Sequence, residues 1–262
     1  MPPVLCEVCI DSVQGAVAAA DGGADRVELC ANLVEGGTTP STGMIRAVLA
    51  ACSLPVMVMI RPRGGHFVFN ATEQTTMLRE LEAVLAEPVA GVVVGAVRTN
   101  GELDEACVRK LCELTRGRSI TFHRAFDQVR DPAHTLAQLI DCGVDRILTS
   151  GQAPTAVQAV ERLRDLVLVA AGRCSIMPGC GVRADNVARI LADTGAHEIH
   201  FSGARLTDCP VEFWRSEVPM SAETTPGDLR RRLATAAEIA AICAAARSNA
   251  VNGFLNDERI SD

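Results

Sequence analysis

The chain holds 262 residues, 48% of them hydrophobic and 22% charged, and carries a formal net charge of −7. That acidic balance argues against a nucleic-acid or anionic-membrane partner, which would need clustered Lys and Arg, and no apolar run approaches the roughly 18 residues of a membrane span. The opening MPPVLCEVCID lacks the basic and apolar segments of a secretory signal, so the expected setting is cytoplasmic and most of the 11 cysteines are expected as free thiols.

Short β-rich runs alternate with longer helical stretches, the order of a parallel sheet wrapped by helices. In chain order the predicted strands are Val4 to Ile10, Asp25 to Cys30, Pro55 to Ile60, Gly91 to Val94, Ser119 to His123, Asp145 to Thr149, Cys174 to Met177 and Glu198 to Phe201. Predicted helices fill the intervals, among them Ser12 to Asp21, Thr72 to Ala86, Asp104 to Thr115, Asp185 to Asp193 and an Ala-rich Asp228 to Ala246. Gly23-Ala24-Asp25, Gly143-Val144-Asp145 and Gly195-Ala196-His197 announce their strands alike, with a glycine suited to the left-handed end of the preceding helix. Eight such pairs over residues 1–248 predict a single-domain (β/α)8 TIM barrel, for which about 250 residues is usual; residues 249–262 are expected as a loosely ordered tail.

Alternate strand residues point to opposite faces. Glu7 and Cys9 oppose Val8 and Ile10, Glu28 and Cys30 oppose Val27 and Leu29, Thr121 and His123 oppose Ile120 and Phe122, and Glu198, His200 and Ser202 oppose Ile199 and Phe201. One face is apolar throughout and packs on helices, while the polar one is expected inside the lumen, near the C-terminal mouth where barrel sites lie. Cys6 and Cys9 spell C-x-x-C, but strand residues three apart face opposite ways, so they form neither a chelate nor an easy disulfide.

Glu7-Val8-Cys9, Gly23 to Cys30 (GADRVELC), Gly36 to Ser41 (GGTTPS), Met59 to Gly65 (MIRPRGG), Thr121 to Asp127 (TFHRAFD), Leu148 to Gly151, Met177-Pro178-Gly179 and Glu198 to Ser202 follow one another in an order and spacing that resembles the CutC copper-homeostasis family. Three positions depart from that pattern: His66 stands where Asp is usual, Phe69 where Tyr is common and Cys180 where the loop carries Gly. The resemblance implies copper homeostasis, with Cu(I) held by Cys9 and Cys30. Thiolates are soft ligands suited to Cu(I), and neighbouring strand ends about 4.8 Å apart allow a two-thiolate site. Both cysteines could equally be small lumen-filling side chains.

Glu7, Glu28, Arg61, His123, Arg124, Asp127, His200 and Ser202 form a second constellation. Carboxylates beside imidazole and guanidinium are the ingredients of acid–base work on a small anion, and they are equally the ingredients of a buried ion-pair network. The alternative function is therefore a barrel enzyme acting on a small phosphorylated or carboxylated substrate, with Glu28 and His123 as acid and base and Arg61 and Arg124 as anion clamps. Gly179 and Gly181, flanking Cys180 after the seventh strand, fall where barrels often hold phosphate on backbone N–H groups. A homo-oligomer is compatible with the sequence, which does not fix the oligomeric state.

Overall fold

The computed structural model describes residues 4–218 and 228–257, the stretch 249–257 in its backbone alone. Eight parallel strands lie in the order β7-β6-β5-β4-β3-β2-β1-β8. They are β1 (Leu5–Ile10), β2 (Arg26–Leu29), β3 (Val56–Met59), β4 (Gly91–Val94), β5 (Ser119–Phe122), β6 (Arg146–Thr149), β7 (Ser175–Pro178) and β8 (Glu198–Phe201). β7 and β8 meet at the seam, where a Cβ on Gly179 would stand 3.3 Å from the His200 Cβ. The result is the predicted (β/α)8 barrel.

The connecting helices are α1 (Val13–Asp21), α2 (Thr42–Ala51), α3 (Ala71–Leu85), α4 (Glu105–Leu114), α5 (Pro132–Asp141), α6 (Val160–Ala170), α7 (Val187–Thr194) and α8 (Ala236–Asp257). Several starts are written in the sequence: Ser12, Ser41, Asp104 and Asp131 each accept a backbone N–H of the first turn, and Asn70 forms a reciprocal capping box with Glu73. The outward strand residues Val8, Val27, Val58, Val92, Phe122, Ile147, Ile176 and Ile199 are buried against these helices in one core. Cys6 belongs to that outer core whereas Cys9 packs with Cys30, Met57, Met59 and Val93 in the lumen, so the two face opposite ways.

The repeated Gly-x-Asp-Arg punctuation does the same work at two places in the barrel. Asp25 Oδ2 accepts the Cys6 N–H at 2.8 Å, and Asp145 Oδ2 accepts the Ile120 N–H at 2.7 Å. The arginines that follow, Arg26 and Arg146, enter the lumen and share Glu198 Oε2.

One predicted element needs correction. Residues 228–235 do not open a helix: Arg230–Ala234 is β10, paired antiparallel with β9 (Ala204–Asp208), Arg230 opposite Asp208 and Ala234 opposite Ala204. Arg, Leu and Ala are good helix formers, but strand pairing overrides so weak a preference, and α8 begins only at Ala236. The last helix then runs to Asp257, with the remainder of the expected tail, 258–262, outside the described residues.

Candidate functional site

β1, β2 and β8 carry the centre of the site. In the register Glu7 lies opposite both Arg26 and His200, and Cys9 lies opposite Glu28. Because alternate positions share a face, Glu7, Cys9, Arg26, Glu28, Cys30 and His200 all enter the lumen. Glu7 is fully buried and accepts from Arg26 Nε and, across 2.9 Å, from His200 Nδ1. The other imidazole nitrogen, His200 Nε2, faces Glu28 Oε2 at 3.6 Å. Cys30 Sγ donates to the same oxygen at 3.6 Å, and the thiols of Cys9 and Cys30 are hydrogen-bonded to each other.

Electrostatics assigns the charges. Burial alone would raise Glu7, but the hydrogen bond from His200 and the charge of Arg26 outweigh it and hold the carboxylate at about 2. Burial would lower His200, yet Glu28 and the hydrogen bonds to Cys9 and Glu7 carry it well above its ordinary value, so it is an imidazolium. Glu28 is raised, chiefly by burial. The bond to Cys30, then burial, pushes Cys9 well up; Cys30, which that bond lowers, is lifted by burial and by the Glu28 charge to about 11. Both thiols are protonated at neutral pH.

Arg61 and His123 form a second group, at the ends of β3 and β5. Arg61 is buried and spends Nη1 on the carbonyls of Glu35 and Gly37 and Nη2 on that of Gly65, at 2.9, 2.7 and 2.6 Å, while its guanidinium lies 4.8 Å from the Phe67 ring centre. His123 accepts the Ala125 N–H on Nδ1 at 3.1 Å, which caps a short 3-10 turn. Burial and then the Arg61 charge push its pKa down to about 3, so it is a neutral ring with its hydrogen on Nε2. Among the described residues three buried polar side-chain atoms have no partner, Glu28 Oε1, Arg61 Nε and His123 Nε2.

The remaining expected residues lie apart from this centre. The Asp127 carboxylate accepts from Arg124 Nε at 2.7 Å, Thr149 Oγ1 at 2.5 Å, the Ser150 N–H at 3.0 Å and Ser150 Oγ at 2.9 Å, so it ties the loop after β5 to the loop after β6. Arg124 is spent on that brace with its side chain 43% exposed, and Ser202 is exposed at the end of β8. In the glycine loop the Gly179 N–H already donates to the Thr149 carbonyl at 2.9 Å. Cys180 adopts φ +76, a left-handed conformation that an L side chain tolerates poorly, so the departure from Gly leaves a strained loop. The sequence reading missed Arg26 and Arg146; each shares the parity of a lumen residue, Glu28 and Leu148, which was the available signal.

The donor set fits a metal. One ligand atom each from Cys9, Glu28 and Cys30 lie within 4.8 Å of one another, as do those of Glu7, Glu28 and His200. Two sulfurs are a soft pair, and Glu28 still has an oxygen without a partner.

Fold and site together define a (β/α)8 barrel with a thiol, carboxylate and imidazolium cluster in its lumen. The CutC family model matches residues 4–205, and the chain belongs to that family. A CutC family protein of Bacteroides fragilis (strain YCH46) is 44% identical over 238 residues, covering 90% of this chain and 94% of its own length. A human protein named copper homeostasis protein cutC homolog is 38% identical over 244 residues, 93% of this chain and 89% of its own. Among solved structures, the CutC protein of Streptococcus agalactiae matches with a TM-score of 0.72 and 33% identity, over 75% of this chain and 97% of that one. A thiamine phosphate pyrophosphorylase from Pyrococcus furiosus, TM-score 0.56 at 14% identity, shares the fold alone. The chain is thus a member of a copper-homeostasis family, and no helix among the described residues is long and apolar enough to cross a membrane.

Proposed function

We propose that this protein binds Cu(I) as cargo in a reducing cytoplasm, with Cys9 and Cys30 as the two sulfur ligands and Glu28 beside them. The observation that carries this reading is the mutual approach, within 4.8 Å, of the Cys9, Glu28 and Cys30 donor atoms in the lumen. Cu(I) favours soft thiolates over imidazole or carboxylate, which makes the sulfur pair its preferred seat over the Glu7, Glu28 and His200 group. Both thiols must lose protons to bind, so affinity tightens as pH rises. Cys9 is only half-buried and gives the ion an approach from the mouth.

The test is competition between the reduced protein and a Cu(I) chelator, repeated with a Cys9→Ser, Cys30→Ser double variant. The expected result is one tight site per chain that the double variant loses. Equal affinity in both proteins removes this pair as the site.

A further inference from the structure

The three unpartnered atoms are buried, and each belongs to a residue whose other polar groups are already committed. A buried donor or acceptor without a partner costs about 1 to 3 kcal/mol, and folded proteins rarely keep several together without a ligand or an ordered water. Arg61 adds a charge: its hydrogen bonds run to carbonyls alone, and it forms no ion pair among the described residues. The Glu35 carboxylate acts on it only through space, so the unpartnered Nε of this buried cation still calls for an acceptor.

The fold links these three residues through shared neighbours. Arg61 follows β3 and His123 follows β5, with Gly95 after β4 between them. A Cβ on Gly95 would stand 2.4 Å from His123 Cε1, so the missing side chain is what lets the ring lie across β4. The Phe67 ring touches both partners, its centre 4.9 Å from that of His123 and 4.8 Å from the Arg61 guanidinium. On the other side Gly37, whose carbonyl holds Arg61, sits against Cys30: a Cβ there would be 2.9 Å from Cys30 Sγ. Cys30 in turn bonds Glu28 through Oε2, which leaves Oε1 without a partner.

The free groups are therefore two donors, one of them on a cation, and one carboxylate acceptor. We propose that the barrel mouth binds a small carboxylate bearing a hydroxyl group, its carboxylate accepting from Arg61 Nε and His123 Nε2 and its hydroxyl donating to Glu28 Oε1. The neutral state of His123 keeps Nε2 a donor across the physiological range. Arg61 and His123 take no part in the copper reading, whereas Glu28 Oε1 is shared with it, so the acid is expected to bind in metal-free protein.

Titration calorimetry on the reduced, metal-free full chain tests it, with L-lactate and 3-hydroxybutyrate set against propionate and butyrate, the same acids without the hydroxyl. At least one hydroxy acid is expected to bind about tenfold more tightly than its counterpart. A His123→Asn variant keeps an oxygen to cap Ala125 but loses the Nε2 donor, and should weaken that acid about tenfold. Glu28→Gln, a second and milder change, should shrink the preference for the hydroxyl several-fold; circular dichroism checks that each variant is folded. Absence of any preference for the hydroxy acids in the wild type, or unchanged binding in both folded variants, overturns the proposal and leaves water as the partner of the three atoms.

Discussion

His200 Nδ1 lies 2.9 Å from Glu7 Oε1, an imidazolium against a carboxylate at the centre of a barrel that buries both. The pair spans the β8 to β1 junction, and Arg26 on β2 joins it from the other side. It fixes the imidazole edge that faces Glu28 and so sets the electrostatics beneath the two thiols.

Glu7→Gln keeps the side-chain volume but leaves Arg26 and His200 against a neutral amide. Removing one partner of a buried ion pair costs about 3 to 5 kcal/mol, and the urea midpoint should fall accordingly. The pH dependence has a definite sign. Glu7 is lowered from its ordinary 4.5 to about 2 on folding, so its contribution is present above pH 4.5 and lost as pH falls toward 2. The wild type should therefore lose stability more steeply than the variant in that window. An unchanged midpoint would show that the pair contributes nothing.

His123 acts with the opposite charge logic. Its pKa falls from 6.5 to about 3 in the fold, so between those values the unfolded chain holds a proton that the folded chain refuses, and acidification weakens the fold. At about 1.4 kcal/mol per pKa unit the effect reaches roughly 4 kcal/mol near pH 3. His123→Asn removes the titration while keeping the cap, and its stability should be flatter from pH 6.5 down to 3. Parallel curves for the two proteins would place the acid sensitivity elsewhere.

Cys180→Gly should stabilise the chain. The residue sits at φ +76, where an L side chain costs about 1 to 2 kcal/mol, and the change gives up a 3.2 Å contact from Sγ to the Pro154 carbonyl. The greater freedom of glycine in the unfolded chain offsets part of the gain, leaving a net of about 0.5 to 1 kcal/mol and a Tm higher by about 1 to 3 °C. A lower Tm would mean that the thiol contact outweighs the strain.

Strand parity made much of this molecule legible in the sequence. A period of two needs no tertiary information, and it sorted Glu7, Cys9, Glu28, Cys30, His123 and His200 onto the lumen face on which they are found. What parity cannot supply is the distance between strands far apart in the chain. Arg26 and Arg146 meet at Glu198 only because the barrel closes, and charged residues at strand starts read as surface groups. Asp127 and Arg124 carried the marks of a site, but the loop after β6 brings Thr149 and Ser150 to the carboxylate and makes it a brace. The β9–β10 hairpin was illegible because its arginine-rich second strand has the composition of a helix, and pairing with residues 204–208 decides its conformation.

The copper site rests on the sulfur pair, and X-ray absorption at the copper edge of the Cu(I)-loaded, reduced protein examines it most directly. Two sulfur scatterers in the first shell are expected in the wild type, falling to one in each of the single variants Cys9→Ser and Cys30→Ser. A first shell of nitrogen and oxygen without sulfur would contradict the assignment and move the ion to the Glu7, Glu28 and His200 group.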